Sequence, residues 1–235
     1  MSTEDERPGP SPAASDGCAA GSMQSPIDIA VPSPDVGPDT DPVALDLMST
    51  RWRVRDTGST IEAQPVTEDG ETAEGTAGGF TIAGTSYTVT QIHLHAPSEH
   101  TFGGTAADLE LHVVATTPDG TTAVIGLPLT ISGEGSALGP VFASIPTATA
   151  SPGGVVLADP LDLADVLPTE VPAARYTGSL TTPPYTEGLQ WTVYLTPLPV
   201  GAHEAAAFTA VYPSNARPTQ LLHDRPVTTR TIVTA

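Results

Sequence analysis

Gln91-Ile92-His93-Leu94-His95 carries two imidazoles two residues apart, and a third, His112, follows within Leu109-Glu110-Leu111-His112-Val113. In a β-strand, residues i and i+2 share a face. His93 and His95 therefore project together, while Ile92 and Leu94 project the opposite way. Leu109, Leu111 and Val113 form a second alternating set, with Glu110, His112 and Val114 on the other face. If the two strands lie side by side, three imidazoles converge. Three neutral nitrogen ligands suit Zn²⁺ and leave a fourth tetrahedral position for water, the pattern of a catalytic zinc site. Such imidazoles need a partner for the other ring nitrogen. Gln91, in phase with His93 and His95, and Glu110, in phase with His112, are placed to serve. A lone strand histidine is more often a plain core or surface residue, but here four of the six histidines fall between positions 93 and 112. Spacing alone leaves both a zinc site and a set of structural histidines open.

The elements that must position these residues read as short strands. Val43–Leu47, Trp52–Arg55, Thr60–Gln64, Phe80–Ile82, Tyr87–His95, Leu109–Thr116, Thr122–Ile131 and Gln190–Leu195 are strand candidates by alternation and β-branched content. Pro118-Asp119-Gly120 is a turn between the second histidine strand and its successor. Asp69–Gly79 reads as a Gly- and Glu-rich loop, 133–153 is dominated by small residues, and Val155–Val166 has no clear period. The one helix expected is Ala202–Val211, which is rich in Ala. Residues 1–21 read as a flexible acidic arm, 30–42 as a proline-rich connector, and 22–235 as one mostly β domain.

Composition narrows the function. The 235 residues carry a formal net charge of −19, and all 8 basic residues are Arg. With no basic patch to neutralise phosphates, nucleic acid is excluded as a partner. An anionic membrane surface is disfavoured on the same ground. No stretch reaches the roughly 18 apolar residues of a membrane span. Cys18 is the only cysteine, so no intrachain disulfide can form. The N-terminus lacks the basic start and apolar core of a signal peptide. Two readings stay open: an intracellular chain, or one from which a signal has been removed.

Five segments occur in a telling order: Gln24-Ser25-Pro26-Ile27-Asp28-Ile29, Gln91 to His100, Glu110-Leu111-His112, Tyr176-Thr177-Gly178-Ser179-Leu180-Thr181-Thr182-Pro183-Pro184, and Asn215-Ala216-Arg217-Pro218-Thr219-Gln220. Together they resemble the α-class carbonic anhydrases, the bacterial branch in particular, from about Cys18 to Val227. The resemblance implies a central, largely antiparallel twisted sheet of about ten strands. It implies reversible hydration of CO₂ to bicarbonate and a proton by zinc-bound hydroxide, with His93, His95 and His112 as the Zn²⁺ ligands and Gln91 and Glu110 behind them. Zinc lowers the pKa of its water from about 15.7 to about 7, a figure that comes from carbonic anhydrases themselves. Thr181 resembles the hydroxyl that accepts from that hydroxide, Glu99 the carboxylate that receives the Thr181 proton, and Thr182 the adjoining polar wall. Val114, Val124, Leu180, Leu189 and Trp191 resemble the apolar pocket for CO₂. His100 is implied to be structural, linked to Tyr176. Sulfonamides and small anions are the implied inhibitors.

The match departs from the family in three places. The family's proton-shuttling histidine follows Asn-Gly or Thr-Gly on an early strand; here Thr57-Gly58 is followed by Ser59, which cannot carry a proton near pH 7. Bacterial members pair a cysteine near position 18 with one after the second proline, and that position is Tyr185 here, so Cys18 is free or pairs between chains. Residues 1–17 hold no aromatic, where the family usually has a Trp-Gly-Tyr segment covering the cleft. The last two departures leave a homodimer open. Besides carbonate dehydratase activity, two other functions remain: a binding module of the same fold without catalysis, against which the three retained histidines argue, and a zinc-dependent esterase side activity.

Overall fold

The computed structural model describes residues 21–30, 42–133, 135–157 and 159–235. Cys18 and nearly all of the expected 1–21 arm lie outside the described residues, as does most of the 30–42 connector. The first strands are β1 (Asp28–Ile29), β2 (Val43–Leu47), β3 (Arg51–Asp56), β4 (Ile61–Val66), β5 (Gly78–Ile82) and β6 (Thr85–His95). Then come β7 (Thr101–Phe102), β8 (Thr105–Ala106), β9 (Leu109–Thr116), β10 (Thr122–Ile131), helix α1 (Gly139–Ala150) and β11 (Val155–Val156). The chain ends with β12 (Val171–Ser179), β13 (Glu187–Tyr194), β14 (Leu198–Val200), helix α2 (Ala202–Thr209) and β15 (Thr228–Thr234).

Twelve strands form one sheet in the order β11-β3-β4-β6-β5-β2-β15-β12-β13-β10-β14, with β9 pairing both β6 and β10. That double pairing closes β6, β5, β2, β15, β12, β13, β10 and β9 into a barrel-like ring. Most pairs are antiparallel; β10–β13, β10–β14 and β15–β2 are parallel. The mostly β architecture matches the expectation, and the helix over 202–209 lies where the Ala-rich run places it. Helix α1 was not foreseen. It buries Val141, Phe142, Ile145 and Ala148, an i, i+1, i+4, i+7 stripe diluted by small residues and two prolines. No helix among the described residues is long and apolar enough to cross a membrane.

The sheet divides its side chains between two apolar clusters, and this division positions the site. On β9, Leu109, Leu111, Val113 and Ala115 enter the main core, as do Ala123, Ile125, Leu127 and Leu129 on β10. Val124, Leu189, Trp191 and Val193 point to a second, smaller cluster with Ile27, Ile29, Ala174 and Tyr176. On β6 the pattern has a break. Tyr87 and Val89 are core residues, and so are Ile92 and Leu94; the buried set passes from odd to even positions. The pairing with β9 shifts register between Val89 and Gln91. Thr90 is the extra residue of a β-bulge, and its hydroxyl donates to the Val114 carbonyl at 3.2 Å. Without a bulge, strict alternation from Tyr87 would turn Gln91, His93 and His95 into the core.

Candidate metal centre

After the bulge, the register pairs His93 with His112 and His95 with Glu110. Directly opposed residues share a sheet face, so the three imidazoles meet, and one ring nitrogen from each lies within 4.8 Å of the others. His95 and His112 are buried.

The second nitrogen of each ring is held by an acceptor. His93 Nδ1 lies 2.8 Å from Gln91 Oε1, and His112 Nε2 lies 3.0 Å from Glu110 Oε1. His95 Nδ1 lies 3.4 Å from the Asn215 carbonyl. Burial depresses all three pKa values, that of His95 to about 3; the neighbouring His112 adds to the effect at His93 and His95, and Glu110 opposes it at His112 without reversing it, so the rings are neutral near pH 7. A neutral imidazole has one N–H. Once each ring donates to its acceptor, a lone pair remains on His93 Nε2, His95 Nε2 and His112 Nδ1. His93 Nε2 and His112 Nδ1 face each other at 3.2 Å, and His95 Nε2 is buried without a hydrogen-bond partner. Three inward lone pairs with no proton among them fit a cation that takes nitrogen ligands.

Behind the trio, Glu110 is fully buried and accepts three bonds: from the His100 N–H at 2.8 Å, from His100 Nδ1 at 2.7 Å and from His112 Nε2 at 3.0 Å. Burial pushes this carboxyl up, but its interactions with His100 and His112, the hydrogen bonds among them, outweigh it and hold it well below the usual range. His100 passes the network on through Nε2 to the Tyr176 hydroxyl at 2.7 Å, which donates to Ser25 Oγ at 2.9 Å. His100 is thus linked to Tyr176 as the resemblance implies, and stands one shell back from the trio.

Glu99 is buried beside His95, with Oε1 3.4 Å from His95 Nδ1. The same oxygen accepts the Arg217 N–H at 2.9 Å. Burial raises the Glu99 carboxyl to about 8, while the Arg217 N–H and the Thr181 hydroxyl pull it down. Glu99 Oε2 is buried with no hydrogen-bond partner. Thr181 is buried and Thr182 exposed, both on the turn after β12. Val124 is the register partner of both Val114 and Trp191, and Leu180 and Leu189 belong to the same cluster. Trp191 stands 4.9 Å from His112, ring centre to ring centre, so this apolar group adjoins the trio.

Ser59 is exposed, its hydroxyl 3.1 Å from Thr57 Oγ1. Its carbonyl accepts from Asn215 Nδ2 at 3.0 Å. Asn215 is the residue whose part the sequence reading missed. Its side chain also bonds the Ala96 N–H and the Leu94 carbonyl, and its carbonyl serves His95. A main-chain acceptor leaves no signature in residue type.

Residues 11–231 match the family described as eukaryotic-type carbonic anhydrase. The chain belongs to that family. A carbonic anhydrase of Klebsiella pneumoniae is 35% identical over 153 residues, which is 65% of this chain and 61% of that protein, less than two thirds of its length. One from Pectobacterium carotovorum is 31% identical over 209 residues, 88% of this chain and 80% of that protein. Among solved structures, the α-carbonic anhydrase of Photobacterium profundum is 30% identical with a TM-score of 0.75, covering 90% of this chain and 91% of that one. That of Thermovibrio ammonificans, in complex with the inhibitor sulfanilamide, is 29% identical with a TM-score of 0.71 over 88% and 87%. In this carbonic anhydrase the three imidazoles lie on adjacent strands, where sequence spacing places them.

Proposed function

We propose that this chain hydrates CO₂ reversibly to bicarbonate and a proton, and that His93 Nε2, His95 Nε2 and His112 Nδ1 hold Zn²⁺ for that purpose. The observation that carries the reading is a ring nitrogen from each of the three imidazoles within 4.8 Å of the others, while the other nitrogen of each ring faces an acceptor. Bound there, zinc would supply a hydroxide nucleophile near neutral pH and positive charge for the product anion.

The protein's own residues supply alignment, a dry pocket and a proton path. Gln91, Glu110 and the Asn215 carbonyl fix the tautomer and tilt of the three rings. Glu99, once ionised, accepts the hydrogen bond of the Thr181 O–H, which leaves the Thr181 oxygen only as an acceptor. That oxygen would then accept from a hydroxide held at the three imidazoles and fix its orientation. A dication nearby would favour the ionised carboxyl against the burial that raises it. Thr182 lines the polar side. Val114, Val124, Leu180, Leu189 and Trp191 hold CO₂ and exclude water from its carbon. Ser59 provides no titratable group, so the released proton leaves to buffer. Sulfonamides and small anions would compete at the same place.

Metal content and CO₂ hydration, measured on one preparation with and without a chelator, test this. One zinc per chain and a chelator-sensitive rate are expected. A chain that retains no zinc, or binds it without hydration, refutes the reading.

A further inference from the structure

The turn that carries Thr181 and Thr182 is closed by two hydrogen bonds, Leu180 N–H to the Thr186 carbonyl and Tyr185 N–H to the Thr182 carbonyl, each 2.9 Å. Tyr185 has φ +59°, a left-handed conformation that costs a tyrosine free energy unless its surroundings fix it. The surroundings are specific. The Arg217 guanidinium lies over the Tyr185 ring, 3.9 Å from its centre. The guanidinium is itself anchored, with Nη1 donating to Gln24 Oε1 at 2.9 Å and to the Ser25 carbonyl at 2.6 Å. The Tyr185 carbonyl accepts from Gln24 Nε2 at 3.3 Å. From the same residue, the Arg217 main-chain N–H holds Glu99 Oε1. One arginine therefore grips the Thr181 turn through its side chain and the Glu99 carboxylate through its backbone.

We infer that Tyr185 and Arg217 form a noncovalent clasp that sets the position of Thr181 relative to Glu99, and that both are positioning residues for the hydration reaction. The inference rests on the function proposed above. Thr181 and Glu99 come from segments far apart in sequence, so their relative position depends on what ties those segments together. A stack of a planar cation on an aromatic face fixes the distance and tilt between the two segments and demands a ring at 185. It asks nothing of the tyrosine hydroxyl.

The test uses zinc-loaded full-length protein. Tyr185→Leu should lower kcat/KM for CO₂ about three- to tenfold at saturating buffer, with zinc content unchanged. Tyr185→Phe should stay within about twofold of the parent. Arg217→Met probes the other half of the clasp and should give a loss of the same size. Amide hydrogen exchange of the metal-free proteins supplies a readout independent of turnover: Leu180 and Arg217 N–H should exchange faster in Tyr185→Leu and at the parent rate in Tyr185→Phe. A residue that only stabilised the fold would lower the melting temperature and leave kcat/KM per bound zinc where it was. Unchanged kcat/KM and exchange in both Tyr185→Leu and Arg217→Met, or a Phe variant as impaired as Leu, overturns the clasp. A parent protein with no hydration activity refutes the proposed function instead, and the exchange data then decide the clasp.

Discussion

Glu110→Gln separates a core carboxylate from one that serves a metal ligand. The wild-type carboxylate accepts three hydrogen bonds, two at Oε1 from His112 Nε2 and His100 Nδ1, and one at Oε2 from the His100 N–H. A carboxamide has one oxygen. If that oxygen faces the rings, its NH₂ points at the His100 N–H, donor against donor. The opposite flip sets the NH₂ against both imidazoles. The milder arrangement leaves one buried donor unpaired, at about 1–3 kcal/mol, and makes two charge-assisted bonds neutral. A loss of roughly 2–4 kcal/mol of stability follows. Metal affinity reports something else. His112 must keep its proton on Nε2 to leave Nδ1 free, and a neutral partner enforces this tautomer less strongly. Loss of such a partner weakens a metal site about 10–100-fold, or about 1.4–2.8 kcal/mol.

The assay is competition for zinc against a chelator of known affinity near neutral pH, alongside denaturant unfolding of the metal-free protein. Acid titration adds an independent check. The Glu110 carboxyl is held low in the folded state, burial notwithstanding, by His100 and His112. A depressed carboxyl contributes stability above its unfolded pKa and loses it as pH falls through the folded value. The wild type should therefore lose stability relative to Glu110→Gln only on the acid side, below the ordinary carboxylate range. A variant that is less stable yet binds zinc within about twofold of the parent would show that Glu110 supports the core and does nothing for His112.

Deleting Thr90 removes the one extra residue and leaves Tyr87, Val89, Ile92 and Leu94 on a single face of a plainly alternating β6, with His93 and His95 still opposite them, so one zinc per chain should be retained, read by metal analysis; a deletion variant that holds no zinc refutes the role given to the bulge. Gly126→Ala places a Cβ 2.7 Å from Glu110 Oε1 and 3.5 Å from both Trp191 and Val193; it should cost about 1–3 kcal/mol in denaturant unfolding and weaken zinc binding, because the pinned carboxylate cannot move aside freely. Ionising Glu99 opposes folding, since its pKa rises from 4.5 to about 8, so stability from this group is complete below 4.5 and falls until about 8. Metal-free Glu99→Gln should therefore gain stability over the parent as pH rises through that window, by thermal unfolding, while losing hydration activity when zinc is restored. Ser59→His should raise kcat in dilute buffer at least about tenfold and leave kcat/KM unchanged; a kcat independent of buffer in the parent counts against buffer as the proton acceptor.

What the sequence disclosed and what it hid have different physical origins. The histidine strands were legible because β9 keeps strict period two: Leu109, Leu111, Val113 and Ala115 are core, so the face of His112 follows. The pairings Gln91–His93 and Glu110–His112 are also i, i+2 relations, local in sequence. The Asn215 carbonyl that serves His95 is 120 positions away and belongs to the backbone, so no residue type announces it. Strands β12 and β15 were missed because Val171–Ser179 and Thr228–Thr234 mix Pro, Gly, Thr and Arg, and become strands through pairing with each other and with β13 and β2. Helix α1 was hidden by Gly and Pro, and its apolar stripe acquires meaning from the sheet it covers, β3 included.

The bulge at Thr90 is the sharpest case of a local pattern overruled by tertiary structure. Tyr87, Val89, Gln91, His93 and His95 are all odd-numbered, and a straight strand would place them on one face. The main core claims Tyr87 and Val89 at one end of β6, and Ile92 and Leu94 at the other. Both demands can be met only by a strand with one residue too many between them. The partner strand fixes where that residue sits, since Ala115 pairs with Val89 and Val114 with Gln91. Burial of apolar side chains at two ends of a single strand, against an unbroken β9, thus turns His93 and His95 out of the core and toward His112. The metal centre is in this sense a product of core packing: the hydrophobic pattern of β9 fixes the register, the register requires the bulge, and the bulge sets the face on which His93 and His95 meet His112.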